Sequence, residues 1–188
     1  MQGPLVRATL AGLKTQTRRP IKPQPDDDIV DVEYDAIADL WLGNTQEDND
    51  LGYTSSWAAR CPLGKAGDRL WVRETWARPG DEEIIYRADK WAADLVAKWK
   101  EDPNCPQVKW TPSIHMPRWA CRLFLPLVSV RVERVQDITE DHAKAEGVGP
   151  TGGSYREGFR AVWESIYGSW DANPWVWVAE WREIEARK

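Results

Sequence analysis

Cysteine is scarce in this chain of 188 residues. Cys61, Cys105 and Cys121 are odd in number and widely spaced, which excludes a disulfide framework and a zinc-ligand pattern and fits buried or incidental thiols in a reducing cytoplasm. Two histidines are poor material for a metal centre, so no metal and no cofactor is expected. No apolar run approaches the roughly 18 residues a membrane helix needs, and the opening residues lack the layout of a signal peptide. A cytoplasmic protein without a membrane partner is therefore expected. An excess of positive charge is missing too. The net charge is −5, whereas a protein built to grip long nucleic acid carries a basic footprint. Positive charge is instead local, at Lys14, Arg18, Arg19 and Lys22, and a small basic pocket in an acidic body suits a nucleoside or nucleotide better than a polymer.

What the chain has in abundance is tryptophan. Thirteen is about five times ordinary usage. Most are expected to pack a small core, and one or two to line a pocket where a flat base can stack. Hydrophobic content of 42% and charged content of 29% are those of one ordinary globular domain spanning 1–188.

The densest chemistry lies in Gly12–Pro20. Leu5, Val6, Leu10 and Leu13 form the apolar face of a short helix that Gly12 ends, since glycine enters the left-handed region without steric cost. Pro20 limits the strand that follows. In an extended segment Thr15 and Thr17 share one face, Gln16 and Arg18 the other, with Lys14 at the bend. Two readings compete: a solvated basic turn, or a Lys and a Thr hydroxyl assembled for nucleophilic chemistry with Arg beside them to hold an oxyanion or phosphate.

Downstream, residues 21–66 read as an inserted acidic region, partly loop. Asp26–Asp28 and Gln46–Asp50 look turn-like, and Ile29–Tyr34 alternates as a strand. Residues 68–77 alternate as one strand, with Glu74 either a surface residue or a pocket carboxylate. Ile84–Arg87 pairs with it after a turn at Pro79-Gly80-Asp81. Trp91, Leu95 and Trp99 recur at helical spacing. Residues 101–118, with Pro103, Pro106, Pro112 and Pro117, fit no regular element, and Pro112–Pro117 reads as a stiff loop. Its Ser113 and His115 lack a local acid and suit substrate contact better than a catalytic triad. Strand signal runs from Trp119 to Val135, bent or bulged at Pro126. Thr139 caps a helix that Gly147 ends. Gly149–Gly153 reads as a flexible linker. Tyr155, Phe159, Val162, Trp163 and Ile166 mark an amphipathic helix stopping at Gly168, and a Trp-rich strand closes the chain over 174–184.

The motif Gly12-x-Lys14-Thr15-x-Thr17-x-Arg19 resembles the signature of the ASCH domain family, within the PUA-like superfamily. Gly67–Val72 is similar to that family's Gly-Asp turn into a barrel strand, Ile138–Gly147 to its helix after the central strands, and Asn173–Trp181 to its last strand. The whole chain resembles the longer ASCH proteins carried by prophages. The resemblance covers roughly two thirds of the residues and implies an α+β fold: a small mixed β-barrel with short flanking helices, here with the insertion at 21–66. The family's opening apolar strand is missing or truncated at Met1–Pro4, so either the barrel lacks an edge or the true start lies upstream.

The best-defined enzymes of this kind are amidohydrolases acting on N(4)-acetylcytidine. Their Lys, Thr and Glu match Lys14, Thr17 and Glu146, the last in the pattern His142-Ala143-x-x-Glu146. The resemblance implies that Lys14 serves as base for a Thr17 nucleophile, or that Lys14 and Glu146 activate water while Thr17 positions substrate. Thr15, Arg18, Arg19, Glu74, Trp76 and His115 are the expected substrate-binding residues. Two other functions stay open: a PUA-like RNA-binding module or ribonuclease, and a non-catalytic accessory protein with a Trp-rich docking surface. The sequence does not speak to oligomeric state.

Overall fold

The computed structural model describes residues 3–51, 57–80, 83–102, 104–105, 108–182 and 184–186. Met1 and Gln2 at the expected missing strand, Asp81 of the expected turn, Pro103 and Pro106 of the proline-rich stretch, and 52–56 of the acidic region lie outside them. In chain order the elements are α1 (Gly3–Leu10), β1 (Gln16–Pro20), β2 (Ile29–Asp35), β3 (Leu40–Thr45), α2 (Gln46–Leu51), β4 (Trp57–Ala59), β5 (Arg69–Trp71), β6 (Trp76–Ala77), β7 (Ile85–Tyr86), α3 (Lys90–Glu101), β8 (Leu123–Arg134), α4 (Glu140–Ala145), α5 (Tyr155–Tyr167), β9 (Trp175–Trp181) and β10 (Glu185–Ala186). The protein is thus mixed α+β, with antiparallel strands and short helices. It divides into two compact units, each made of separated stretches: a smaller one of Met1–Lys14, Trp71–Leu125 and Glu183–Lys188, and a larger one of Thr15–Leu70 and Pro126–Arg182.

In the larger unit the strand order is β1-β9-β8, all antiparallel. Side chains alternate across a sheet, so the register sorts the residues by face. Val176 and Val178 join Val135, Ile138, Ala143, Phe159, Trp163 and Trp170 in a cluster with α4 and α5. On the opposite face Trp175 and Trp177 pack with Ile21, Ile29, Val32 and Trp57. Six tryptophans are buried, Trp57, Trp163, Trp170, Trp175, Trp177 and Trp181, and so serve the core. Pro126 stands near a register irregularity between Leu127 and Ser129, as a residue without an N–H requires. Thr139 caps α4 by accepting from the His142 amide, and Gly147, at φ 75°, ends the helical stretch.

The acidic region holds more order than its composition suggests. β2, β3 and β4 form a three-stranded antiparallel sheet. The run Gln46–Asp50, expected as a turn, belongs to a helix. Thr45 and Asp48 form a reciprocal capping box in which the Asp48 amide donates to Thr45 Oγ1 and the Thr45 amide to Asp48 Oδ2. Gly149–Gly153 is likewise no free linker. Thr151 bridges Ser154, and the Gly149 carbonyl lies where a Cβ on Gly158 of α5 would stand, 2.0 Å away.

In the smaller unit the expected strand over 68–77 is broken into β5 and β6. Between them Glu74 is turned inward, its amide donating to Met116 Sδ at 3.0 Å. β6 pairs with β7, and the first residues of β8 pair with β10. Trp119 belongs to a 3-10 turn, Arg118–Ala120, set up by Pro117, so the strand starts only at Leu123. Two expected apolar faces are incomplete. Leu10 and Leu13 are exposed while Thr9 is buried, and α3 buries Ala92 but leaves Trp91 exposed. Short helices bury whichever side the neighbouring chain covers, and Thr9 is tolerated because its hydroxyl donates to the Leu5 carbonyl.

Candidate functional site

β1 is the element that carries the polar motif into the larger unit. Its start is tied to the end of α4, the Thr15 amide donating to the Ala145 carbonyl at 2.8 Å. That contact brings Arg18 and Glu146 together. Arg18 Nη1 donates to Glu146 Oε1 at 3.0 Å and to Gln16 Oε1 at 3.2 Å, and its Nε donates to Glu133 Oε1 at 2.8 Å. Arg18 Nη2 stands 2.7 Å from the same Glu133 oxygen, but off the line a hydrogen bond needs, so the ion pair is close while that N–H group is unsatisfied. The Arg18 side chain is wholly buried, Glu146 nearly so.

The cluster continues along the same sheet face. Gln16 Nε2 donates to Glu180 Oε1 at 2.9 Å. Arg131 donates to Glu133 Oε2 at 3.0 Å, to Glu180 Oε1, and lies 3.4 Å from His142 Nδ1. Phe159 places its ring 5.8 Å from the Arg18 guanidinium. Glu146 sits at the C-cap of α4, where the helix dipole disfavours an anion. Arg18 supplies the opposing charge, and a buried carboxylate needs such a partner.

The expected residues separate into three groups. Arg18 and Glu146 meet. Thr17 is buried, but it pairs with Ala179 while Arg18 pairs with Val178, so strand alternation puts it on the sheet face opposite Arg18 and Glu146. The Thr17 hydroxyl has no hydrogen-bond partner among the described residues. Arg19 is exposed and donates to the Tyr167 hydroxyl, and Thr15 is half-buried. Lys14, Glu74, Trp76 and His115 belong to the smaller unit. There Lys14 is 2% exposed, His115 is exposed, and Trp76 packs edge-on against Trp119. Glu74, 1% exposed, takes both its oxygens to Arg122, which also forks onto Asp89. Tyr86 lies 3.9 Å beneath that guanidinium.

Glu133, Glu180, Arg131, Arg122 and Asp89 were not among the candidates the sequence offered. A signal existed: Arg131 and Glu133 stand two apart in a strand otherwise rich in valine, so they share a face. Their partners come from distant strands, and no spacing along the chain reveals that. Among the described residues no group of three or more His, Cys, Asp and Glu is arranged to hold a metal ion, and no helix is long and apolar enough to cross a membrane.

No family model, no curated protein and no solved structure matches the chain.

Proposed function

We propose that this is a PUA-like protein of the ASCH type that hydrolyses an acyl group from the exocyclic amine of a cytosine nucleoside. The observation that carries the reading is the buried Glu146 carboxylate held by Arg18 directly against the motif strand. A carboxylate so fixed, once it has taken up a proton, can hand it to a leaving amine with little reorganisation. Lys14, itself buried, is the residue to which this reading gives the role of base. In this scheme water loses a proton to Lys14 and its oxygen bonds the acyl carbon. The carbon–nitrogen bond then breaks, and the cytosine amine takes, through Glu146, the proton that Lys14 removed from water. Water is preferred to Thr17 as nucleophile because Thr17 and the Arg18–Glu146 pair leave β1 on opposite faces.

The test is release of cytidine from N(4)-acetylcytidine by the purified chain. Lys14→Ala and Glu146→Gln are each expected to lower kcat/KM about 100-fold or more, the usual size of a general acid–base contribution. Thr17→Ala, on the opposite sheet face, should leave kcat/KM near that of the wild type. Wild-type turnover in both K14A and E146Q overturns the reading.

One observation favours a second reading, a nucleic-acid reader. The smaller unit holds 13 Lys and Arg against 10 Asp and Glu, the larger 12 against 20. Residues 103–132 contain no carboxylate and include Arg118 and the 59%-exposed Trp119, a ring on which a base can stack. Such binding weakens steeply with salt, and no RNA binding at low salt removes it.

A further inference from the structure

The smaller unit contains a cavity of about 360 Å³ that the hydrolytic reading does not use. Its volume lies within the roughly 300–1,000 Å³ typical of small-molecule sites. Arg7 comes from α1, Arg87 from the residue after β7, and Thr75 from the residue before β6; Glu74 forms part of the wall. The Arg7 guanidinium makes one long hydrogen bond, 3.3 Å to the Ala88 carbonyl. The Arg87 side chain and the Thr75 hydroxyl have no partner among the described residues. Glu74 adds little free negative charge here, since both its oxygens are taken by Arg122. Counting Asp89 on that same guanidinium, three arginines face two carboxylates, one positive charge in excess.

We propose that this cavity binds a small molecule bearing a phosphate monoester. Two guanidiniums with open donors and a free hydroxyl match the oxygens of such a group. The space is larger than a phosphate alone fills, and Pro4, Val6 and Ala88 wall the remainder with apolar surface, so the esterified body is compact and uncharged. The site stands whether or not the chain deacylates cytidine, because it shares none of Lys14, Thr17 or Glu146.

The experiment is thermal unfolding of the full chain against inorganic phosphate and a sugar monophosphate, with chloride holding ionic strength constant. A ligand that binds only the folded state raises Tm with concentration. Arg87→Gln is expected to weaken the apparent Kd about tenfold, as loss of a charge-assisted contact does, and Arg7→Gln with Arg87→Gln to abolish the shift. Both side chains are exposed, so the variants should fold with ordinary Tm and, if the chain is a deacylase, unchanged turnover. No phosphate-dependent shift in the wild type, or an equal shift in the double variant, overturns the proposal. A larger response to acetate overturns the choice of phosphate. Displacement by an oligonucleotide lacking terminal phosphates overturns the choice of a monoester.

Discussion

Each compact unit pairs an arginine with a buried glutamate, and the two solve the problem differently. In the smaller unit Arg122 stands alone: one guanidinium forks onto Glu74 and Asp89, and all four carboxylate oxygens depend on it. In the larger unit Arg18 and Arg131 share Glu133, while Glu146, Glu180, Gln16 and His142 complete the cluster. The first is a closed knot with a single cation. The second is a mesh in which Glu133 and Glu180 each accept from two donors. A closed knot serves structure. A mesh with an unsatisfied N–H group can exchange partners, which the proposed hydrolysis would use.

Truncation of one arginine from each unit exposes that difference. Removing one partner of a buried ion pair strands the other charge, at about 3–5 kcal/mol. Arg122→Ala leaves Glu74, 1% exposed, with no guanidinium, so urea unfolding should show the full loss. In Arg131→Ala, Glu133 still accepts from Arg18 and Glu180 from Gln16, so the loss should be about half as large. An R131A variant as unstable as R122A removes the distinction between knot and mesh. Next in size is Gly158→Ala. Alanine within a helix is ordinarily worth about 1 kcal/mol over glycine, but here the new methyl meets the Gly149 carbonyl backbone. Overpacking of this kind typically costs about 1–3 kcal/mol, so G158A should destabilise, and a stabilised variant shows that the loop yields freely.

How much of this was legible follows from the range of the forces involved. Local chemistry was readable. Gly12 and Gly147 adopt φ of 69° and 75°, β1 ends at Pro20, Thr139 caps α4, and Gly168 stops α5. Alternation also put Gln16 and Arg18 on one face, and they bond each other. Contacts set by distant strands were not readable. Nothing near Glu133 or Glu180 announces Arg18, and nothing near Glu74 announces Arg122. The 68–77 run alternates as one strand, yet the inward pull on Glu74 breaks its ladder. In the acidic region composition misled, because a capping box outweighs a carboxylate-rich helix start, and acids at a helix N-terminus are themselves favoured.

A gentler contrast between the units comes from pH. Burial pushes the Cys61 thiol of the larger unit up to about 11. Its folded pKa lies above the unfolded one, so the folded state holds its proton longer. The resulting stability is complete below about pH 9 and is lost as pH rises towards 11. Tm should fall over that window, and Cys61→Ser should flatten the fall. At pH 8 the thiolate is scarce, so a disulfide reagent should modify Cys61 far more slowly than a free thiol. Rapid labelling of Cys61 contradicts its burial.

The smallest effect belongs to the exposed trio of Tyr34, Asp39 and Lys65, which resembles the buried clusters in chemistry but not in setting. The Tyr34 hydroxyl donates to Asp39 at 2.6 Å and the Lys65 amine at 3.1 Å, with the lysine side chain 59% exposed. The Tyr34 hydrogen bond first, and that of Lys65 second, hold the Asp39 carboxyl below its ordinary range. A depressed carboxyl contributes stability above its unfolded pKa and loses it as pH falls through the folded one. Water screens this pair, so Lys65→Ala should leave the unfolding midpoint unchanged. An NMR titration should show Asp39 moving up in both K65A and Tyr34→Phe, and further in Y34F, because the hydroxyl is its stronger partner. If K65A instead lowers stability as the arginine variants do, then burial of the carboxylate is not what separates a consequential ion pair in this chain from an inconsequential one.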